Sequence, residues 1–211
     1  QTMPGKKAMI IISNGKSTRE NGSLERTEEQ LQTAGVSYVL FDKIMANPLR
    51  KTVMEGSVFA RENECDFVVA LGGGSVMDAA KGIATMATNP GDCWDYMSGG
   101  TGKGMPIEID PLPIIAITTT AGTGSEVDAY GVISDEETNE KMGFGGHPGC
   151  FPKLAIVDPE LMLSVPPKYT AFQGFDALFH SVEGYISKFA NEMSDMVQLA
   201  AIENIGKYLA R

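Results

Sequence analysis

The sequence predicts an α/β fold: a parallel sheet with helices on both faces, followed by the first helices of a second, all-helical unit. Three observations carry this. Short, continuously apolar runs at 8–12, 67–71 and 114–118 alternate with helical stretches, and continuous apolarity is what strands covered on both faces need. The strands at 67–71 and 114–118 run directly into turns dense in glycine or threonine. Beyond Val165-Pro166-Pro167 strands give way to helical spacing alone.

Residues 8–12 form the first strand, and Ser13-Asn14-Gly15-Lys16-Ser17 the turn after it. Residues 24–34 read as a helix, with Leu24, Thr27, Glu28 and Leu31 at helical spacing and Gly35 as the residue that ends it. Residues 36–41 return to strand, Asn47-Pro48 opens a turn, and 49–62 is helical. The third strand, 67–71, ends in Gly72-Gly73-Gly74-Ser75 and a helix follows over 76–87. Residues 89–113, rich in glycine and proline, break the rhythm and read as a long loop on the rim of a site. Residues 114–118 form the fourth strand. Residues 130–134 and 141–145, joined by Asp135-Glu136-Glu137-Thr138-Asn139, form a hairpin, and 154–157 is a short strand. Residues 168–185 and 194–209 are helices. A boundary near Pro166-Pro167 divides the chain into 1–166 and 167–211. Two helices cannot enclose a core alone, so they must pack on the first domain or on a partner.

The chain has 211 residues, 43% of them hydrophobic and 21% charged, which suits a globular enzyme. Its 27 acidic against 17 basic residues give a net charge of −10, which argues against a nucleic-acid surface. Cys65, Cys93 and Cys150 are few and far apart. They imply no disulfide framework and a reducing, cytoplasmic setting. No apolar run approaches the ~20 residues of a membrane span, and residues 8–12 are too short for a signal peptide. The chain opens on Gln1 and stops inside a helical pattern, so it reads as a piece of a longer protein.

Three motifs carry chemistry. Asp176 and His180 stand four apart in a helical stretch and so share a face. A carboxylate and an imidazole one turn apart can hold one divalent cation, or simply form an ion pair. Gly72-Gly73-Gly74-Ser75-Val76-Met77-Asp78 joins a strand to a helix. A turn without side chains lets a phosphate approach the helix's free N–H groups, with Ser75 donating its hydroxyl or capping the helix; a plain tight turn is the other reading. Thr118-Thr119-Thr120-Ala121-Gly122-Thr123-Gly124-Ser125-Glu126 follows a strand and can hold phosphate, ribose or amide, or satisfy its own backbone. Lys141 can reach a cofactor or remain solvated. His147 is a loop histidine, and Trp94 and Tyr185 read as packing residues.

Together these residues resemble the iron-containing, metal-dependent alcohol dehydrogenase family. The resemblance rests on Asn47-Pro48, Gly72 to Asp78, Thr119 to Glu126, Asp158-Pro159, Pro166-Pro167 and Gly174-x-Asp176-Ala177-x-x-His180, in that order. It implies a Rossmann-like dinucleotide-binding domain, an all-α metal-binding domain, and interconversion of a primary alcohol and an aldehyde with a divalent metal, Fe2+ or Zn2+, as Lewis acid. It places Gly73, Gly74 and Ser75 at the pyrophosphate, Thr119, Thr120 and Thr123 in the cofactor loop, and Asn47 and Lys141 at the adenosine half. Asn14, Gly15, Ser17, Asp78 and Ser125 complete the expected cofactor set. Asp176 and His180 match the first two metal ligands and the catalytic centre. The family's two later histidine ligands have no counterpart, since the only other histidine is His147, so this chain is not expected to turn over alcohols. The acid-free turn with Lys16, Ser17 and Arg19 resembles the butanol-dehydrogenase-like branch and favours NADP(H) over NAD(H). A homodimer through the edge strand, and neither nucleic acid nor membrane as partner, is expected. The alternatives are a non-redox relative, such as a glycerol-dehydrogenase-like or dehydroquinate-synthase-like scaffold, and a non-catalytic dinucleotide-binding module.

Overall fold

The structure, a computed structural model, describes residues 3–209. Five parallel strands form one sheet in the order β2-β1-β3-β4-β7. These are β1 (Lys7–Ser13), β2 (Ser37–Ile44), β3 (Phe67–Gly72), β4 (Ile114–Thr118) and β7 (Leu154–Val157). A hairpin of β5 (Tyr130–Asp135) and β6 (Glu140–Gly145) stands apart as an antiparallel pair. The helices are α1 (Ser17–Glu20), α2 (Ser23–Thr33), α3 (Arg50–Glu62), α4 (Gly74–Thr88), α5 (Pro167–Tyr185) and α6 (Glu192–Tyr208). The expected parallel sheet and hairpin are present, and the elements differ mainly at their ends. The short helix α1 occupies a stretch read as turn and loop.

The two-residue period of a strand sorts the core into two layers. Ala8, Ile10, Ile12, Phe67, Val69, Leu71 and Ile115 face Leu24 and Leu31 of α2. Met9, Ile11, Val68, Ala70, Ile114 and Ala116 face α3 and α4. Every residue of β3 is buried, which explains its unbroken apolar run.

The long stretch 89–113 departs from its reading as a rim. Cys93, Trp94, Tyr96 and Met97 are buried in the core cluster with α3 and α4, and a 3-10 turn (Cys93–Tyr96) closed by an Asp92 capping box organises them. Trp94 packs as expected, its Nε1 donating to Thr101 Oγ1 at 2.9 Å. Tyr185 does not: it is 43% exposed, because neither α5 nor α6 buries any residue. These helices notch into each other, since a Cβ added at Gly184 of α5 would collide with Gln198 Nε2 of α6. No helix of the described residues is long and apolar enough to cross a membrane.

Arg50 joins three pieces of the fold. Its Nε donates to Asp92 Oδ1 at 2.8 Å, its Nη1 to Asp135 Oδ2 at 2.9 Å, and its guanidinium lies over Trp94. Desolvation pushes the Asp135 carboxyl up, but the Glu137 N–H and Arg50 outweigh it and hold the group below its ordinary value. A depressed carboxylate contributes stability above its unfolded pKa and loses it as pH falls through the folded one. The thermal midpoint should therefore fall below about pH 4. Replacing Arg50 by Gln should lower the midpoint by several degrees near neutrality and by progressively less in acid, as Asp135 becomes protonated in both proteins. An equal drop at neutral and acid pH would show that packing against Trp94, not charge, is what Arg50 supplies.

Candidate functional site

Chain order reverses between β1 and β3, with β2 on one side and β3, β4 and β7 on the other. Open parallel sheets bind ligands outside the carboxyl ends of their strands at such a switch point. Here those ends are Ser13, Gly72 and Thr118.

The glycine turn and the threonine loop leave these ends side by side. The ladder continues past the sheet, Thr119 N–H donating to Gly72 O at 3.0 Å. A Cβ at Gly73 would lie 2.9 Å from Thr120 Cγ2, and one at Gly74 only 2.6 Å from Thr123 Cγ2. Gly73 has ordinary extended dihedrals, so clearance rather than backbone freedom demands glycine here. Ser75 does not cap α4, because the helix begins one residue earlier and Gly73 is its N-cap. No side chain caps it, so its first N–H groups remain available to an anion.

A cleft of about 400 Å³ opens in front of this helix end, lined by Asn47, Pro48, Gly74, Ser75, Asp78, Thr123, Ser125, Asp128, Tyr130, Gly131, Val132, Lys141, Asp176 and His180. Nine of the residues singled out from sequence thus meet in one place. A second cleft of about 250 Å³ gathers Ser17, Thr119 and Thr120 beside Pro166 and Tyr169. Asn14 and Gly15 line neither cleft; Asn14 N–H is held by Ile44 O at 2.8 Å. His147 sits elsewhere, its Nδ1 accepting from Gly149 N–H to close a 3-10 turn.

At the mouth, Asn47 adopts φ 55°, a left-handed conformation that asparagine tolerates better than most residues. Its N–H donates to Ser75 Oγ at 3.2 Å, and its Oδ1 accepts from Lys141 Nζ at 2.8 Å. Asp78 lines the cleft with both oxygens engaged, accepting from Ser125 Oγ at 2.7 Å and Val132 N–H at 3.0 Å. Burial pushes its carboxyl up against these bonds. Lys81, which the sequence reading missed, lies beneath it, 1% exposed, with Nζ bonded to Ser125, Asp128 and Tyr130 O. Its only sequence signal is a lysine inside the apolar run Ala79-Ala80-Lys81-Gly82-Ile83.

The opposite wall is α5. Gln173 Oε1 accepts from Ala121 N–H at 2.9 Å, and His180 Nδ1 lies 3.3 Å from Gly122 O. A carbonyl oxygen only accepts, so Nδ1 carries a proton. In the neutral ring the Nε2 lone pair then faces Asp176 Oδ1, 3.9 Å away. A carboxylate oxygen and an unprotonated imidazole nitrogen this far apart can both reach one divalent cation. The pair fits two donors of a metal site. No group of three His, Cys, Asp or Glu residues that could hold a metal occurs among the described residues.

The model of the iron-containing alcohol dehydrogenase family matches residues 1–159. The chain belongs to that family. It is 42% identical over 205 residues to a choline dehydrogenase of Bacillus subtilis (strain 168), covering 97% of this chain and 50% of that protein. It is 32% identical over 213 residues to an NADPH-dependent butanol dehydrogenase of Clostridium saccharobutylicum, covering 99% and 53%. The crystal structure of NADH-dependent butanol dehydrogenase A from Thermotoga maritima superposes with a TM-score of 0.89 at 30% identity, covering 98% of this chain and 50% of that one. The chain thus spans about half the length of these relatives. Their names point to both nucleotides.

The tight contact between turn and loop makes a test. Gly74→Ala should cost about 1–3 kcal/mol in chemical denaturation, and Thr123→Ser in the same chain should recover part of it by removing Cγ2. A neutral Gly74→Ala would show that the loops are not in contact in solution.

Proposed function

We propose that this chain is the nucleotide-binding part of an oxidoreductase that passes hydride between a nicotinamide cofactor and a primary alcohol or aldehyde, and that Asp176 and His180 are two of the ligands of its metal. One observation carries the reading. The uncapped start of α4, the polar rim of Asn47 and Lys141, and the Asp176–His180 pair all line a single cleft. The first N–H groups of α4 would take the pyrophosphate, Thr119, Thr120 and Thr123 would bound it, and Asn47 with Lys141 would orient the adenosine half. When bound, the nicotinamide supplies the hydride and a divalent cation, Fe2+ or Zn2+, polarises the substrate oxygen. Catalytic sites of this kind generally use three protein donors. The described residues offer two, so we expect the chain by itself to bind cofactor without turning over aldehyde. The same observation keeps a non-catalytic dinucleotide-binding module as the second reading.

Cofactor choice rests on the charges around α1. Lys16 makes no ion pair among the described residues, whereas Arg19 Nη2 is bound to Asp42 Oδ2 at 2.6 Å. The first turn carries no acid, but Asp42 near the end of β2 brings one beside it, where an acid in such folds meets the ribose hydroxyl. Lys16 with Ser17 favours NADP(H), and Asp42 moderates that preference by occupying Arg19. The reading is completed by a boundary at 166/167, where α5 starts without burying a residue. It also includes a homodimer through the free edge of β2 and a cytoplasmic setting in keeping with three buried free cysteines.

Fluorescence titration with NADPH and NADH tests the cofactor assignment. NADPH should bind more tightly, and Asp42→Ala should widen the preference roughly threefold to tenfold by releasing Arg19 to a 2′-phosphate. Binding of neither nucleotide would sink the proposal. Calorimetric titration with Zn2+ should show a site that Asp176→Ala and His180→Ala each remove; unchanged Zn2+ binding in both variants would leave the pair as a simple ion pair.

A further inference from the structure

We propose that Lys81 is a positioning residue of the nucleotide cleft: it fixes residues 125–130 as the wall facing the glycine turn. The inference rests on the reading of that cleft as a cofactor site. Lys81 lies seven residues into the helix that begins at Gly74, two turns below the cleft. Its ammonium is buried at 1% exposure and uses all three of its N–H groups, on Ser125 Oγ at 2.9 Å, Asp128 Oδ1 at 2.7 Å and Tyr130 O at 2.6 Å. No donor is left for a ligand, so Lys81 acts through the segment it holds. Asp78, one turn nearer the cleft, accepts from Ser125 Oγ and Val132 N–H. The helix that presents its N-terminus to the cleft therefore also grips the 125–132 wall at both ends, and Ser125, Asp128, Tyr130 and Val132 all line the cavity.

Charge at this position is costly by itself. A buried ammonium is retained only where its partners compensate for lost water, and a methionine of similar length would fill the same core volume. What the methionine could not do is bind a hydroxyl, a carboxylate and a carbonyl from three places on an otherwise irregular segment.

The test compares the wild-type chain with Lys81→Met and Asp128→Asn by amide hydrogen exchange and by titration with NADPH and NADH. Lys81→Met should raise exchange at least tenfold across residues 125–132, leave α2 and β1 unchanged, and weaken nucleotide binding at least tenfold. Asp128 is 41% exposed, so Asp128→Asn removes one charged partner without emptying the core and should show the same pattern at about threefold. Unchanged exchange in 125–132, or exchange raised equally throughout the sheet, overturns the inference. If Lys81→Met does not fold, Asp128→Asn decides it on the same criteria. A wild-type chain that binds neither nucleotide refutes the cofactor reading instead, while the exchange comparison still decides whether Lys81 holds the wall.

Discussion

The site depends on a contact with no clearance. Two neighbouring parallel strands, β3 and β4, end beside each other, and the loops that leave them touch backbone to side chain at Gly73–Thr120 and Gly74–Thr123. Parallel pairing brings the two strand ends to one edge of the sheet. Glycine then lets the loops close on each other, and the Thr119 N–H to Gly72 O bond extends the ladder into them. The floor of the cleft is therefore largely main chain, fixed by the same hydrogen bonds that hold the sheet. A methyl group on this floor would push the threonine loop away, and with it every group that the loop positions.

The remaining walls are polar, and they are held by polar means. Lys81 and Asp78 lie inside a helix whose other faces are almost wholly apolar, and their side chains tie the end of the threonine loop at Ser125 to Asp128 and to the start of β5 at Tyr130 and Val132. The mouth is set by Asn47, held left-handed between Ser75 and Lys141. Most of these bonds involve Lys81, Asp78 or Lys141, and the cost of taking the Lys81 and Asp78 charges out of water offsets much of what the bonds contribute to stability. What they add is definition, because apolar packing is non-directional and would not distinguish one path of an irregular segment from another.

Much of this was legible in the sequence, and the reasons are local. Continuous apolar runs marked the strands because both faces of the sheet are covered, and the strand-to-turn junctions at Gly72 and Thr118 marked the carboxyl ends where the cleft forms. The rest failed for want of a third dimension. Residues 89–113 looked like a loop on the rim of a site, with Trp94 as a packing residue, yet Cys93, Tyr96 and Met97 join Trp94 in the core over α3 and α4, a role that local composition does not announce for them. Of the two roles open to Ser75, capping is excluded because the helix starts at Gly74, and its hydroxyl accepts from Asn47. Asp42 and Arg19 are twenty-three positions apart in the chain, so the first turn looked free of acid when the fold supplies one from the next strand. Lys81 looked like any lysine until its three acceptors converged on it.

The donor pair on α5 is tied to the same loop. This helix buries no residue of its own and meets the sheet domain through Gln173 on Ala121 and His180 on Gly122. A Cβ at Gly122 would come within 2.9 Å of Gln173 O and 3.1 Å of Asp176 Oδ2, so glycine is again what permits the approach. The bond from His180 Nδ1 to Gly122 O sets the tautomer and leaves the other ring nitrogen facing Asp176. Gly122 lies between Thr120, which touches the glycine turn, and Thr123, which lines the cleft. A displacement of the loop would therefore carry the anchor of His180 with it. The floor of the cleft and the Asp176–His180 pair are thus joined through one loop.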